Sequence, residues 1–126
     1  MKTEYIFPEF PKHICAGDSR TIQHGRYTVT ARVVPDHDAN PNDFDCYTPE
    51  QFEAFMRDEW DFYGVILSVS VDGYTLDTHA ASLWSIECGL GENDGAYIRE
   101  TANVLLPDAI ARAEAIRAEL LQKLSA

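Results

Sequence analysis

The chain has 126 residues, 45% of them hydrophobic and 25% charged, and a formal net charge of −11. That length and balance describe one globular domain with a modest core and exclude a disordered chain. No apolar run approaches a bilayer span, and the start, MKTEYIFPEFPK, lacks the apolar core of a signal peptide. Three cysteines, Cys15, Cys46 and Cys88, are an odd count without close spacing, so a cytoplasmic protein without disulfides is expected.

The charge is unevenly placed. Residues 36–104 hold fifteen acids against only Arg57 and Arg99, a net of −13. Residues 1–35 carry a net of +2, and residues 105–126 hold three acids and three bases. An anionic middle should avoid nucleic acid and anionic membranes and attract basic partners. The plainer reading is that acidity keeps a small protein soluble.

Residues 1–18 set Tyr5, Ile6, Phe7 and Phe10 among Pro8, Pro11 and Gly17, an extended segment packed by its aromatics and then a loop. His13 and Cys15 lie two apart, but no further ligands stand at zinc spacing. Thr21 to Gln23, a His24-Gly25 turn and Arg26 to Val34 suggest a first hairpin. In its longer arm Tyr27, Val29, Ala31 and Val33 alternate with Arg26, Thr28, Thr30 and Arg32.

Pro35 ends that strand, and PDHDANPNDFDCY is a loop by composition. Asp36, Asp38 and Asn40 have the spacing that opens a calcium-binding EF-hand loop. The match then fails, with Pro41 in place of the glycine and Tyr47 in place of the bidentate Glu. A solvated acidic loop remains, and no metal is expected. Thr48-Pro49-Glu50-Gln51 predicts a helix start: Thr48 as cap, Pro49 at the first position, Gln51 closing a capping box. Phe52, Phe55 and Met56 form its apolar stripe, which Trp60 continues. Asp58, Glu59 and Asp61 crowd the helix end, where negative charge is unfavourable, which hints at a use other than stability.

From Tyr63 the pattern has a period of two: Tyr63, Val65, Leu67, Val69 and Val71 on one face, and Gly64, Ile66, Ser68, Ser70 and Asp72 on the other. Asp72-Gly73 suits a two-residue type I′ turn. Closing there predicts Val71 opposite Tyr74, Ser70 opposite Thr75, Val69 opposite Leu76 and Ser68 opposite Asp77. Ser82 to Cys88 is a further strand or a bent continuation of the second arm. GLGENDG is a loop without the lysine of a phosphate-binding loop. Asn93 or Asp94 caps a helix carrying Tyr97, Ile98, Ala102 and Leu105, and Pro107 either kinks it or starts another. Beyond it Leu106, Ile110, Ala113, Ile116, Leu120 and Leu124 form an amphipathic stripe that should cover the sheet. The expected fold class is α+β: a small antiparallel sheet around the Asp72-Gly73 hairpin, packed by an inserted helix and C-terminal helices.

No catalytic, dinucleotide or zinc motif is present, so neither cofactor nor enzymatic activity is expected. His79, Glu87 and Cys88 are the nearest approach to a base, an orienter and a nucleophile, and would meet only if the chain bends between them.

The run YTPEQFEAFMRDEWDFYGVILSVSVDGYTLDTHAASLWSIECG, with AYIRETANVLLPDAIARAEA after it, resembles small acidic proteins of bacteriophages and mobile elements. The pattern is carried by Tyr47-Thr48-Pro49-Glu50-Gln51, Asp58-Glu59-Trp60 and Ser82-Leu83-Trp84, over the last two-thirds of the chain. The resemblance implies an accessory gene, a class that includes acidic inhibitors of host defence acting on nucleic-acid-binding surfaces. The expected function is therefore a non-enzymatic inhibitor of the anti-CRISPR or anti-restriction type. Its partner would be a basic nucleic-acid-binding host protein, bound through Asp36, Asp38, Asp43, Asp45, Asp58, Glu59 and Asp61, with no direct nucleic acid or membrane binding. The alternative is an ordinary accessory protein or small enzyme whose acidity serves solubility only.

Overall fold

The computed structural model describes residues 6–125, so the expectation for Tyr5 lies outside the described residues. Strands β1 (Ser19–His24), β2 (Tyr27–Pro35), β3 (Asp61–Val71) and β4 (Tyr74–Cys88) form one antiparallel sheet in that order. A 3-10 turn at Pro41–Asp43 and helix α1 (Pro49–Met56) are inserted between β2 and β3, and helix α2 (Asp94–Leu124) ends the fold. The fold is α+β, with one C-terminal helix where the sequence suggested more than one.

The period of two in β2 and β3 decides which face is dry. Tyr27, Val29, Ala31 and Val33 join Val65, Leu67 and Val69 on the face that α2 covers, all at most 2% exposed. From α2 come Ile98, Ala102, Leu106, Ala109 and Ala113, and from the N-terminal segment Phe7 and Phe10. Each large side chain taken fully from water there stabilises the fold by about 1.5–3 kcal/mol. Phe7 is held from both sides: its amide donates to Asn103 Oδ1 at 3.1 Å and its carbonyl accepts from Arg99 Nε at 2.7 Å.

The helix runs unbroken through Pro107. Pro107 is exposed, so the one backbone bond it deletes, to the Asn103 carbonyl, is lost at the solvent side. The stripe drawn from sequence holds at Leu106 and Ala113, while Leu124 is 82% exposed near the helix end.

Both hairpins form, with corrections to each. The first turns through Gly25-Arg26, because His24 pairs with Tyr27; the sequence placed the turn one residue early. The second turns through Asp72-Gly73 with φ of 49° and 80°, the positive pair that a type I′ turn needs. Val71 pairs with Tyr74 and Ser70 with Thr75, as expected, but Val69 pairs with Asp77 and not Leu76. The expected register is lost there because β4 has 15 residues against the 11 of β3 and absorbs the four extra ones in bulges.

Two carboxylates satisfy amides that the bulges free. Asp77 Oδ1 accepts from the His79 amide at 2.8 Å, and Asp36 Oδ2 accepts from the Ser85 amide at 2.8 Å, where Ser85 has φ of 59°. The His79 bond and the Arg112 guanidinium hold the Asp77 carboxyl below its usual range. A bulged edge also discourages pairing with a foreign strand.

Candidate functional site

The inserted segment between β2 and β3 covers one end of the outer sheet face with aromatic rings. Phe62 points outward from β3, is 1% exposed, and packs against Phe44, Tyr47, Phe55 and Trp60 with ring centroids 5.2–6.0 Å apart. Trp60 is buried and donates its indole N–H to the Gln51 carbonyl at 2.7 Å. The Tyr47 hydroxyl donates to Glu87 Oε2 at 2.5 Å, and burial and that carboxylate raise the phenol's pKa, keeping it protonated. Helix α1 starts with the expected box, Gln51 N–H to Thr48 Oγ1 at 3.2 Å and Thr48 N–H to Gln51 Oε1 at 2.9 Å. Its stripe is only half-buried at Phe52 and Phe55, and Met56 is exposed.

Next to this cluster Trp84 lies flat on the sheet. Gly64 makes that approach possible: a Cβ there would sit 2.3 Å from the nearest ring atom of Trp84. The indole N–H of Trp84 donates to Ser82 Oγ at 3.2 Å, and the same oxygen bonds His79 Nε2 at 2.7 Å.

The seven carboxylates singled out from sequence separate into two groups and a remainder. Asp36, Asp38 and Asp43 line an open cleft of about 720 Å³ beside Phe44 and Trp84. Asp58, Glu59 and Asp61 line another, of about 360 Å³, with Asp94 and His13, on the side of Tyr63 and Cys88. Asp45 is exposed and lines neither.

Several of these groups have structural duties. Asp36 is buried, its two oxygens accepting from the Asp38 and Ser85 amides. Asp43 caps the 3-10 turn through the Asn40 amide, and Asp61 accepts from the Phe62 amide. Asp58 has φ of 61° and closes a Schellman motif, its N–H reaching the Phe55 carbonyl and that of Glu59 the Ala54 carbonyl, both at 3.0 Å. Glu59 pairs with Arg57. The crowding of acids at the helix end thus has a local account in part.

What remains is a set of unspent charges. Asp38, Asp45 and Asp58 are exposed, and their carboxylates have neither hydrogen-bond nor ion-pair partner among the described residues. Both cations of residues 36–104 are already engaged, Arg57 by Glu53 and Glu59, Arg99 by the Phe7 carbonyl and Glu9.

The trio His79, Glu87 and Cys88 is not brought together. Cys88 pairs with Asp61, whereas His79 lies in the bulge opposite Ser68, seven residues along β3, and so roughly 20 Å away. Burial, with Asp94 and Glu87 nearby, pushes the Cys88 thiol up to about 12, the reverse of activation. Among the described residues no three His, Cys, Asp or Glu side chains converge as a metal site, and no helix is long and apolar enough to cross a membrane.

Sequence gave no hint of the Trp84–Gly64 stack as a site, although an isolated glycine inside a strand signals close approach. Comparison with known proteins returns no matching family model, no matching curated protein and no matching solved structure.

Proposed function

We propose that this chain is a non-enzymatic accessory protein of a phage or mobile element, acting in the host cytoplasm. It inhibits host defence, in the manner of an anti-CRISPR or anti-restriction protein, by occupying a basic surface that normally binds nucleic acid. The observation that carries this reading is the unspent charge: exposed Asp38, Asp45 and Asp58 lack partners, in a segment whose two arginines are already engaged. Carboxylates of this kind make charge-assisted hydrogen bonds to Arg and Lys, and a few of them dominate such an affinity. The resemblance of the Tyr47–Gln51, Asp58–Trp60 and Ser82–Trp84 segments to phage-encoded acidic proteins supports the same context.

The test is capture from a nuclease-treated bacterial lysate on the immobilised chain at low and high salt. The double reversal Asp45→Lys with Glu59→Lys is compared with the charge-matched Asp108→Lys with Glu119→Lys on α2. These four positions are exposed. Glu114 is unsuitable as a control because it accepts the Tyr27 hydroxyl at 2.8 Å. The expected result is salt-sensitive retention of nucleic-acid-binding proteins, lost in the first variant and kept in the second. Equal behaviour of the two variants would reduce the acidity to a solubility device.

A further inference from the structure

We propose that the cleft between the Asp36–Phe44 loop and Trp84 receives one arginine side chain of the basic partner, an inference that rests on the anionic-surface reading above. The cleft joins two kinds of wall. Trp84 is 41% exposed and Phe44 39%, so both leave ring surface in water. Asp36, Asp38 and Asp43 supply carboxylates, and no Lys or Arg among the described residues pairs with any of the three. The volume, about 720 Å³, leaves room for a long side chain.

Both walls are held in place before anything binds. The indole rests on Gly64 and is tied to Ser82, and Phe44 packs on Phe62 with centroids 5.5 Å apart. Asp36 is fixed by two backbone amides, at 3.2 and 2.8 Å, yet each carboxylate oxygen accepts more than one bond. Little rotamer freedom is therefore lost on binding at these positions.

A planar cation fits such a site better than a point charge. A guanidinium stacks on an indole face while its N–H fork meets a carboxylate, and it sheds water more easily than an ammonium. Charge complementarity thus selects the occupant: cationic tip, flat, on a flexible apolar stem.

The experiment is a titration of the isotope-labelled full chain with N-acetylarginine methylamide at low ionic strength, followed by NMR, and then with the lysine analogue. A saturable shift is expected at the Trp84 indole N–H and the His37 and Asp38 amides. The Trp60 indole, buried and bonded to Gln51, should stay still. The lysine analogue should bind roughly three- to five-fold more weakly, and Trp84→Leu and Asp38→Asn should weaken the arginine analogue by a similar factor. Asp38→Asn keeps the fold testable, since that carboxylate bonds nothing else among the described residues. The Asp108→Lys with Glu119→Lys variant, whose substitutions lie on α2 outside the cleft, should titrate like wild type.

Shifts that never saturate and spread to Asp45 and Glu59 overturn the proposal, as do equal affinities for the two analogues or for wild type and Asp38→Asn. No partner protein is used, so failure here leaves the capture result standing. Saturable arginine binding without any capture supports the cleft while removing the broader anionic-surface reading.

Discussion

Gly64→Ala tests the packing of the outer face with a change of sign. In an ordinary strand interior that substitution is mildly stabilising, by about 0.5–1 kcal/mol, because it reduces the freedom of the unfolded chain. Here the new Cβ would meet three atoms of the Trp84 ring at 2.3, 2.7 and 2.9 Å, distances at which the ring has to move. Overpacking of this kind costs about 1–3 kcal/mol. Subtracting the backbone gain leaves a net loss of up to about 2.5 kcal/mol, about 1.2 kcal/mol at the midpoints, or roughly 5 °C in Tm for a chain of this size. Far-UV circular dichroism during urea and thermal unfolding measures it without relying on tryptophan emission. In a Trp84→Ala background the clash is gone, and Gly64→Ala should then stabilise by about 0.5 kcal/mol. A stabilising effect in the wild-type background, or the same effect in both, would refute the stacking of Trp84 on Gly64.

Gly73→Val should lower stability by about 1–2 kcal/mol in urea titration, since φ is 80° and no neighbouring atom offers contacts in compensation. Gly73→Asn should cost clearly less, because Asn tolerates that conformation. Asp58→Gly should raise the melting temperature slightly, a gain of about 1 kcal/mol, because glycine is the better residue at φ of 61° in a Schellman turn. Cys88 is raised from 9.0 to about 12 by burial, so its neutral form favours the folded state. That contribution is whole below pH 9 and lost as pH rises towards the folded value; melting temperature should fall through that window, less steeply in Cys88→Ala. A thiol reagent at mildly alkaline pH should modify exposed Cys15 and Cys46 quickly, and Cys88 only on unfolding.

The parts of the fold that sequence made legible are those governed by neighbours along the chain. The alternation from Tyr63 to Val71, the Asp72-Gly73 turn and the Thr48–Gln51 capping box each rest on local spacing, and each forms. The bulges of β4 were hidden because their stabilising acceptor at Ser85 is Asp36, 49 residues away. Nothing in the string Tyr74–Cys88 shows that four residues will be looped out of register. The sequence does not decide between a kink and a new helix at Pro107, because the cost of a proline depends on which side of the helix loses its bond, and that side is set by the sheet. The candidate site was legible as charge and illegible as geometry. Composition placed the anionic excess in residues 36–104, but only the folded chain divides Asp36, Asp38 and Asp43 from Asp58, Glu59 and Asp61. Likewise, the Asp36 carboxylate counted as surface charge in the sequence is a buried support of the sheet edge.

The most direct measurement of the central claim is competition. A nucleic-acid-binding protein captured from the lysate is purified and loaded with fluorescently labelled duplex DNA, and the chain is titrated in while anisotropy is followed. Wild type should displace the DNA completely at saturation, with a midpoint that moves to higher concentration as salt is added, and Asp45→Lys with Glu59→Lys should displace it poorly. Binding of the chain with the DNA still in place, or equal displacement by both forms, would contradict the account.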